Sequence, residues 1–154
     1  MTGMSPAAGY RPTGSPTRFR DHGKRPYVVD IHEAAIANPN FRTAIWTGEY
    51  LQVTLMSINP GDEIGLEIHP DTDQFLRIEQ GCGIVEMGRR PEQPEYIRQI
   101  GEDDAIMIPA GYYHNLTNTG HVPIKLYSIY APPHHPRGTV HRTQEEAMEA
   151  EEHH

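Results

Sequence analysis

Short β-rich runs recur from Tyr50 to Tyr130, and nearly every one is closed by Gly, Pro, Asn or Asp. Tyr50–Asn59 stops at Pro60-Gly61-Asp62, Gln74–Gln80 at Gly81-Cys82-Gly83, and Tyr96–Ile100 at Gly101-Glu102-Asp103-Asp104. Ala105–Ile108 stops at Pro109-Ala110-Gly111, and Tyr113–Thr117 at Asn118-Thr119-Gly120; Val122–Tyr130 is the last long strand. This punctuation predicts an antiparallel sandwich or barrel, with no βαβ alternation and no fixed-period repeat. In Tyr50–Asn59, Leu51, Val53 and Leu55 fall on one face and Thr54, Met56 and Ile58 on the other. Apolar residues on both faces predict a strand covered on both sides.

The flanks differ from this middle. Residues 1–24 are rich in Gly, Pro, Ser, Thr and Arg and too poor in aliphatics to offset ordering entropy, so they are expected to form a disordered or loosely docked arm. Tyr27–Ile31 reads as a short strand, His32–Asn38 as one or two helical turns stopped by Asn38-Pro39, and Phe41–Trp46 as a strand. The barrel is expected over residues 25–133 and a C-terminal extension over 134–154. In the extension, Ala131–His141 reads as a Pro-rich surface exit, and Thr143–Glu151 as an acidic helix with Thr143 near its cap. His153 and His154 carry no assignment.

Composition narrows the function classes. A formal charge of −8 argues against a general nucleic-acid or anionic-membrane surface. The lone cysteine, Cys82, cannot form an intramolecular disulfide, and we read it as structural. No apolar run approaches ~18 residues and no secretory h-region is seen, so a cytoplasmic location is the expectation.

Two stretches carry chemistry. Glu67 and His69 lie two apart on a predicted strand and so face the same way. Gln74 opens the next strand, and His114 lies in the second stretch, Gly101–Asn118. The first stretch resembles the first motif of the cupin family, G-x5-H-x-H-x(3,4)-E-x6-G, at Gly61, Glu67, His69, Gln74 and Gly81. Its spacing matches, but Glu67 replaces the first usual His and Gln74 the usual Glu. The second stretch resembles the other cupin motif, P-x-G-x2-H-x3-N, at Pro109, Gly111, His114 and Asn118. The resemblance is to small single-domain bacterial cupins described as sugar-phosphate-isomerase-like. It implies an all-β double-stranded β-helix, or jelly-roll barrel, and a homodimer exchanging strands through Tyr27–Trp46.

On that fold Glu67, His69, Gln74 and His114 are expected to converge on one divalent metal. Two imidazoles and a carboxylate suit Zn²⁺ and also match the donor set of non-haem Fe²⁺. Zn, Mn, Fe and Ni stay undistinguished. The bland alternative is a polar core in which Glu67 and Gln74 hydrogen-bond the histidines. One carboxylate on a 2+ ion leaves positive charge, which favours an anionic or carbonyl-bearing small-molecule ligand. Three functions follow: isomerase-like proton transfer with the metal as Lewis acid, an Fe(II) dioxygenase, or a non-catalytic metal or small-ligand module.

Other residues are weighed against plainer roles. Gly61, Gly81, Pro109, Gly111 and Asn118 read as turn formers, and so do Asp71 and Asp73. Tyr112 and Tyr113 read as packing residues, and Glu49 and Trp46 receive no role. His134, His135 and His141 read first as a surface tail and second as a source of a general base or another metal site. Arg137 is a candidate anion contact.

Overall fold

The structure is a computed structural model in which residues 20–152 are described. A helix, α1 (Ile31–Ala37), leads into β1 (Arg42–Thr47), β2 (Gln52–Ile58), β3 (Glu67–Ile68), β4 (Asp73–Gln80) and β5 (Gly83–Gly88). Then come β6 (Tyr96–Ile100), β7 (Ala105–Ile108), β8 (Tyr113–Asn118), β9 (Ile124–Ala131), β10 (Val140–His141) and a second helix, α2 (Gln144–Glu152). They form a six-stranded sheet, β10-β1-β2-β9-β4-β7, and a four-stranded sheet, β3-β8-β5-β6. Every strand pairing is antiparallel.

The two faces of β2 do what their alternation predicts. Met56 and Ile58 turn inward to a core with Leu76, Ile78, Ile124 and Leu126 of the large sheet and Val85, Met87 and Leu116 of the small one. Leu55 turns outward and packs with Ile45 under Ala34 and Ala35 of α1. The helix starts at Asp30, whose carboxylate accepts the Glu33 N–H, and ends where Asn38 takes extended backbone before Pro39.

The barrel interior is graded along its length. Neighbouring strands place Thr54 opposite Ser128 and Gln74 opposite Tyr130, all buried. Two residues further along each strand the inner side chains become Met56, Leu126 and Leu76, and then Ile58, Ile124 and Ile78. One end is therefore an apolar plug, and the other is a polar chamber.

Two expectations are corrected. Tyr27–Ile31 is not a strand: Val28 is 97% exposed, Asp30 is committed to capping α1, and Ile31 begins the helix. The Ala131–His141 segment is not only a surface exit. Val140 and His141 pair with Thr43 and Arg42, so the large sheet gains a strand beyond Pro133. The second helix behaves as read: the Thr143 hydroxyl accepts the Glu146 N–H, and Ala147 seals the apolar core.

Most of the N-terminal arm, residues 1–19, lies outside the described residues. Its last part is docked. The buried Asp21 carboxylate accepts hydrogen bonds from the Thr47 N–H and hydroxyl and from the Gly23 and Gly138 N–H groups. Burial raises its pKa, but these donors outweigh burial and leave it below its usual 3.8. A depressed folded pKa stabilises the fold above the unfolded value, and that contribution is lost as pH falls through the folded value. Asp21→Asn is therefore expected to cost about 2 kcal/mol near neutral pH. The difference from wild type should shrink below pH 3.8, read by urea unfolding at several pH values.

Candidate metal centre

The site follows from how the chain after β2 lies against β8. Glu63 bridges Thr117, Ile64 N–H donates to the Leu116 carbonyl, and Gly65 N–H donates to Asn115 Oδ1. The run ends in the register Glu67↔His114 and Ile68↔Tyr113. Residues directly opposite on antiparallel strands share a face, with Cβ atoms roughly 5 Å apart. His69 follows two residues after Glu67, and its carbonyl accepts the Gly111 N–H at 3.0 Å. Glu67, His69 and His114 thus offer ligating atoms that all lie within 4.8 Å of one another.

Hydrogen bonding fixes how these groups present themselves. His114 Nδ1 lies 3.1 Å from the Tyr112 carbonyl, which can only accept, so Nδ1 carries the proton and Nε2 the lone pair. That Nε2 is 3.7 Å from Glu67 Oε1, and His69 Nε2 is 3.6 Å from the same oxygen. Both separations exceed a hydrogen bond. Both Nε2 atoms, His69 Nδ1 and Gln74 Oε1 are buried without a hydrogen-bond partner. Buried polar atoms are ordinarily paired, and a cation could take up one nitrogen of each ring and the Gln74 oxygen, leaving only the second His69 nitrogen without a partner. The donor set therefore fits a divalent ion. Gln74 is buried on the facing sheet, where its Nε2 donates to Ser128 Oγ at 2.8 Å. Its carbonyl oxygen is the fourth candidate donor.

Glu67 is ionised. Burial pushes its pKa up, but the His114 and His69 contacts and the Arg42 charge pull it well below the carboxylate range. Arg42 Nη2 stands 3.5 Å from Glu67 Oε2. Tyr130, fully buried, sets its ring edge-on to His69, and burial raises its phenol pKa.

The centre opens into a cleft of about 930 Å³, bordered by Leu66, Glu67, His69, His134, His135 and His141 among others. This corrects the surface-tail reading of the exit segment. His135 is buried, and its Nε2 lies 3.3 Å from the Tyr130 hydroxyl. The His134 ring sits 4.0 Å from that of His69, with its other side toward solvent. Burial, then the neighbouring His69, lowers the His134 pKa to about 4. The three cleft histidines do not assemble a second metal cluster among the described residues.

Arg137 is also corrected. It donates to the Gly23 and Asp21 carbonyls and so fastens the docked arm. Asn118 and Asp73 are turn residues as read, the first bonding Ile58, Gly120 and Val122 and the second accepting the Ala110 N–H. Gly61, Gly81 and Gly111 all take positive φ. Trp46 Nε1 donates to the Arg25 carbonyl, away from the centre, and Asp71, Glu49 and Cys82 are exposed. Sequence reasoning missed Arg42 and Tyr130. Their only signal was a charged and a phenolic side chain at inward positions of apolar strands.

Residues 54–130 match the cupin domain family. The chain is a cupin. It is 56% identical over 134 residues to the uncharacterized protein YrkC of Bacillus subtilis, covering 87% of this chain and 72% of that one. It is 39% identical over 115 residues to the uncharacterized protein L612 of Acanthamoeba polyphaga mimivirus, covering 74% and 70%. The crystal structure of BH2720 from Bacillus halodurans, 57% identical, superposes with a TM-score of 0.83 over 84% of this cupin and 98% of that chain. TT1209 from Thermus thermophilus, 21% identical with a TM-score of 0.58, shares the fold.

Metal binding to the folded state alone should stabilise it by about 2.7 kcal/mol at a hundred times Kd. Addition of Mn²⁺ or Zn²⁺ is expected to raise the melting temperature of the wild type, but not of Glu67→Gln or His114→Ala. Equal shifts in all three would remove the site.

Proposed function

We propose that this cupin holds one divalent metal at Glu67, His69 and His114, with Gln74 as a further donor, and acts on a small polar or carbonyl-containing molecule by isomerase-like proton transfer. The observation that carries the reading is the convergence of two buried imidazoles, with unpartnered Nε2 atoms, and the half-buried Glu67 carboxylate, two of the three bordering a cleft large enough for a small molecule. When bound, the ion supplies a Lewis acid that polarises a carbonyl. Glu67 and His114 stand on paired strands and His69 directly follows one, which would hold the ligand end of the cleft rigid. His134, neutral and beside His69, would take the proton from the hydroxyl-bearing carbon next to the carbonyl and return it to the carbonyl carbon, while the hydroxyl proton passes to the carbonyl oxygen.

One observation favours a second reading. Two imidazoles with a single carboxylate are the donor set of Fe(II) oxygenases, so dioxygenase chemistry is the alternative. A non-catalytic metal or small-ligand module is the third. Elemental analysis of protein purified without affinity resin separates them. Zinc or manganese at one per chain supports the first reading, iron with oxygen consumption supports the second, and no metal contradicts both.

For the first reading, His134→Ala should retain the metal and slow solvent-deuterium exchange into small hydroxy-carbonyl compounds by about a hundredfold. Unchanged exchange would clear His134 of the role. A homodimer belongs to the same reading, supported by the exposed Val28 between Tyr27 and Trp46. Sedimentation at micromolar concentration is expected to give twice the chain mass.

A further inference from the structure

The buried guanidinium of Arg42 has no part in the reading above. Its side chain is 1% exposed. It sits on β1, across from His141 on β10, and its Nη1 donates to His141 Nδ1 at 3.2 Å. Its Nη2 is the group 3.5 Å from Glu67 Oε2, and neither Nε nor Nη2 makes a hydrogen bond. Stability does not explain such a residue. A buried ion pair is often no better than an apolar pair of the same volume, and N–H groups left unmade are costly.

The charges at the centre indicate what would repay that cost. Glu67 and Arg42 cancel. A divalent ion then leaves the enclosed groups with a surplus of two positive charges. Glu151 at the cleft rim also acts on the Arg42 charge, but more weakly than Glu67 does, and it is exposed. An unbalanced charge in a largely buried site is expensive, and a ligand bearing negative charge would remove it. The planar N–H fork of a guanidinium matches carboxylate and phosphate oxygens.

We propose that the ligand of this site is a small oxyanion-bearing molecule, a carboxylate or a phosphate ester, and that Arg42 makes the site select it over a neutral analogue. The inference rests on the metal binding proposed above and narrows its substrate class. The guanidinium repels the metal and attracts the ligand, so removing it should move the two affinities in opposite directions.

The test uses the full chain loaded with Mn²⁺, titrated calorimetrically with malonate, methyl phosphate and the uncharged malonamide. Wild type is expected to bind at least one of the anions about tenfold more tightly than malonamide. Arg42→Met, which nearly keeps the volume, should lose that preference while binding Mn²⁺ more tightly, and Arg42→Lys should keep much of it. Equal affinity of wild type for malonamide and both anions overturns the proposal, and this comparison needs no variant. A purely structural Arg42 would weaken Mn²⁺ and every ligand together in Arg42→Met, which also overturns it. If wild type takes up none of Mn²⁺, Zn²⁺, Fe²⁺ and Ni²⁺, the metal reading falls and this inference with it. Mn²⁺ uptake without anion preference overturns this inference alone.

Discussion

A carboxylate held between two imidazoles, away from most water, is the arrangement on which the rest of this molecule depends. Glu67 reaches that place because β3 pairs with β8 in a single register. A slip of one residue would turn Glu67 to the opposite face and leave His114 without it. The strand itself is two residues long and lies at a sheet edge, so it cannot hold that register alone. The flanking bonds do: Ile64 to Leu116, Gly65 to Asn115, and Gly111 to His69. Gln144 of α2 adds another, to the Ile64 carbonyl. The acidic C-terminal helix is thereby coupled to the centre through packing and one hydrogen bond.

The graded interior explains how one barrel can carry both a core and a site. The apolar end, from Met56 to Ile124, supplies cohesion. The polar end spreads buried donors and acceptors over both sheets, with Thr54, Gln74, Ser128 and Tyr130 on one and His114 on the other. The outer face of the large sheet has its own small core under α1. Stability is thus concentrated away from the chamber, where unpaired nitrogens and a buried guanidinium are energetically unfavourable.

Much of this was legible in the residues. The alternation in β2 announced two covered faces, the Gly-Pro-Asn-Asp punctuation placed most strand ends, and Glu67, His69 and His114 stood out because they fall at ligand positions of the two stretches that resemble the cupin motifs. What stayed hidden depends on contacts between distant parts of the chain. β10 is two residues long and has no periodicity of its own; it exists because Arg42 and Thr43 offer it an edge. Tyr27–Ile31 has strand composition but no strand beside it. Arg42 received no role within the Phe41–Trp46 strand, since nothing in the sequence says which face of β1 it occupies. His134 and His135 looked like a tail, because the turn that folds them back over His69 joins segments far apart in sequence.

The most direct test is X-ray absorption at the edge of whichever metal the purified protein retains. The account predicts a first shell of two imidazoles with the remaining donors oxygen, reduced to a single imidazole in His114→Ala. A wild-type shell with three imidazoles, with none, or with one unchanged by that substitution would contradict it.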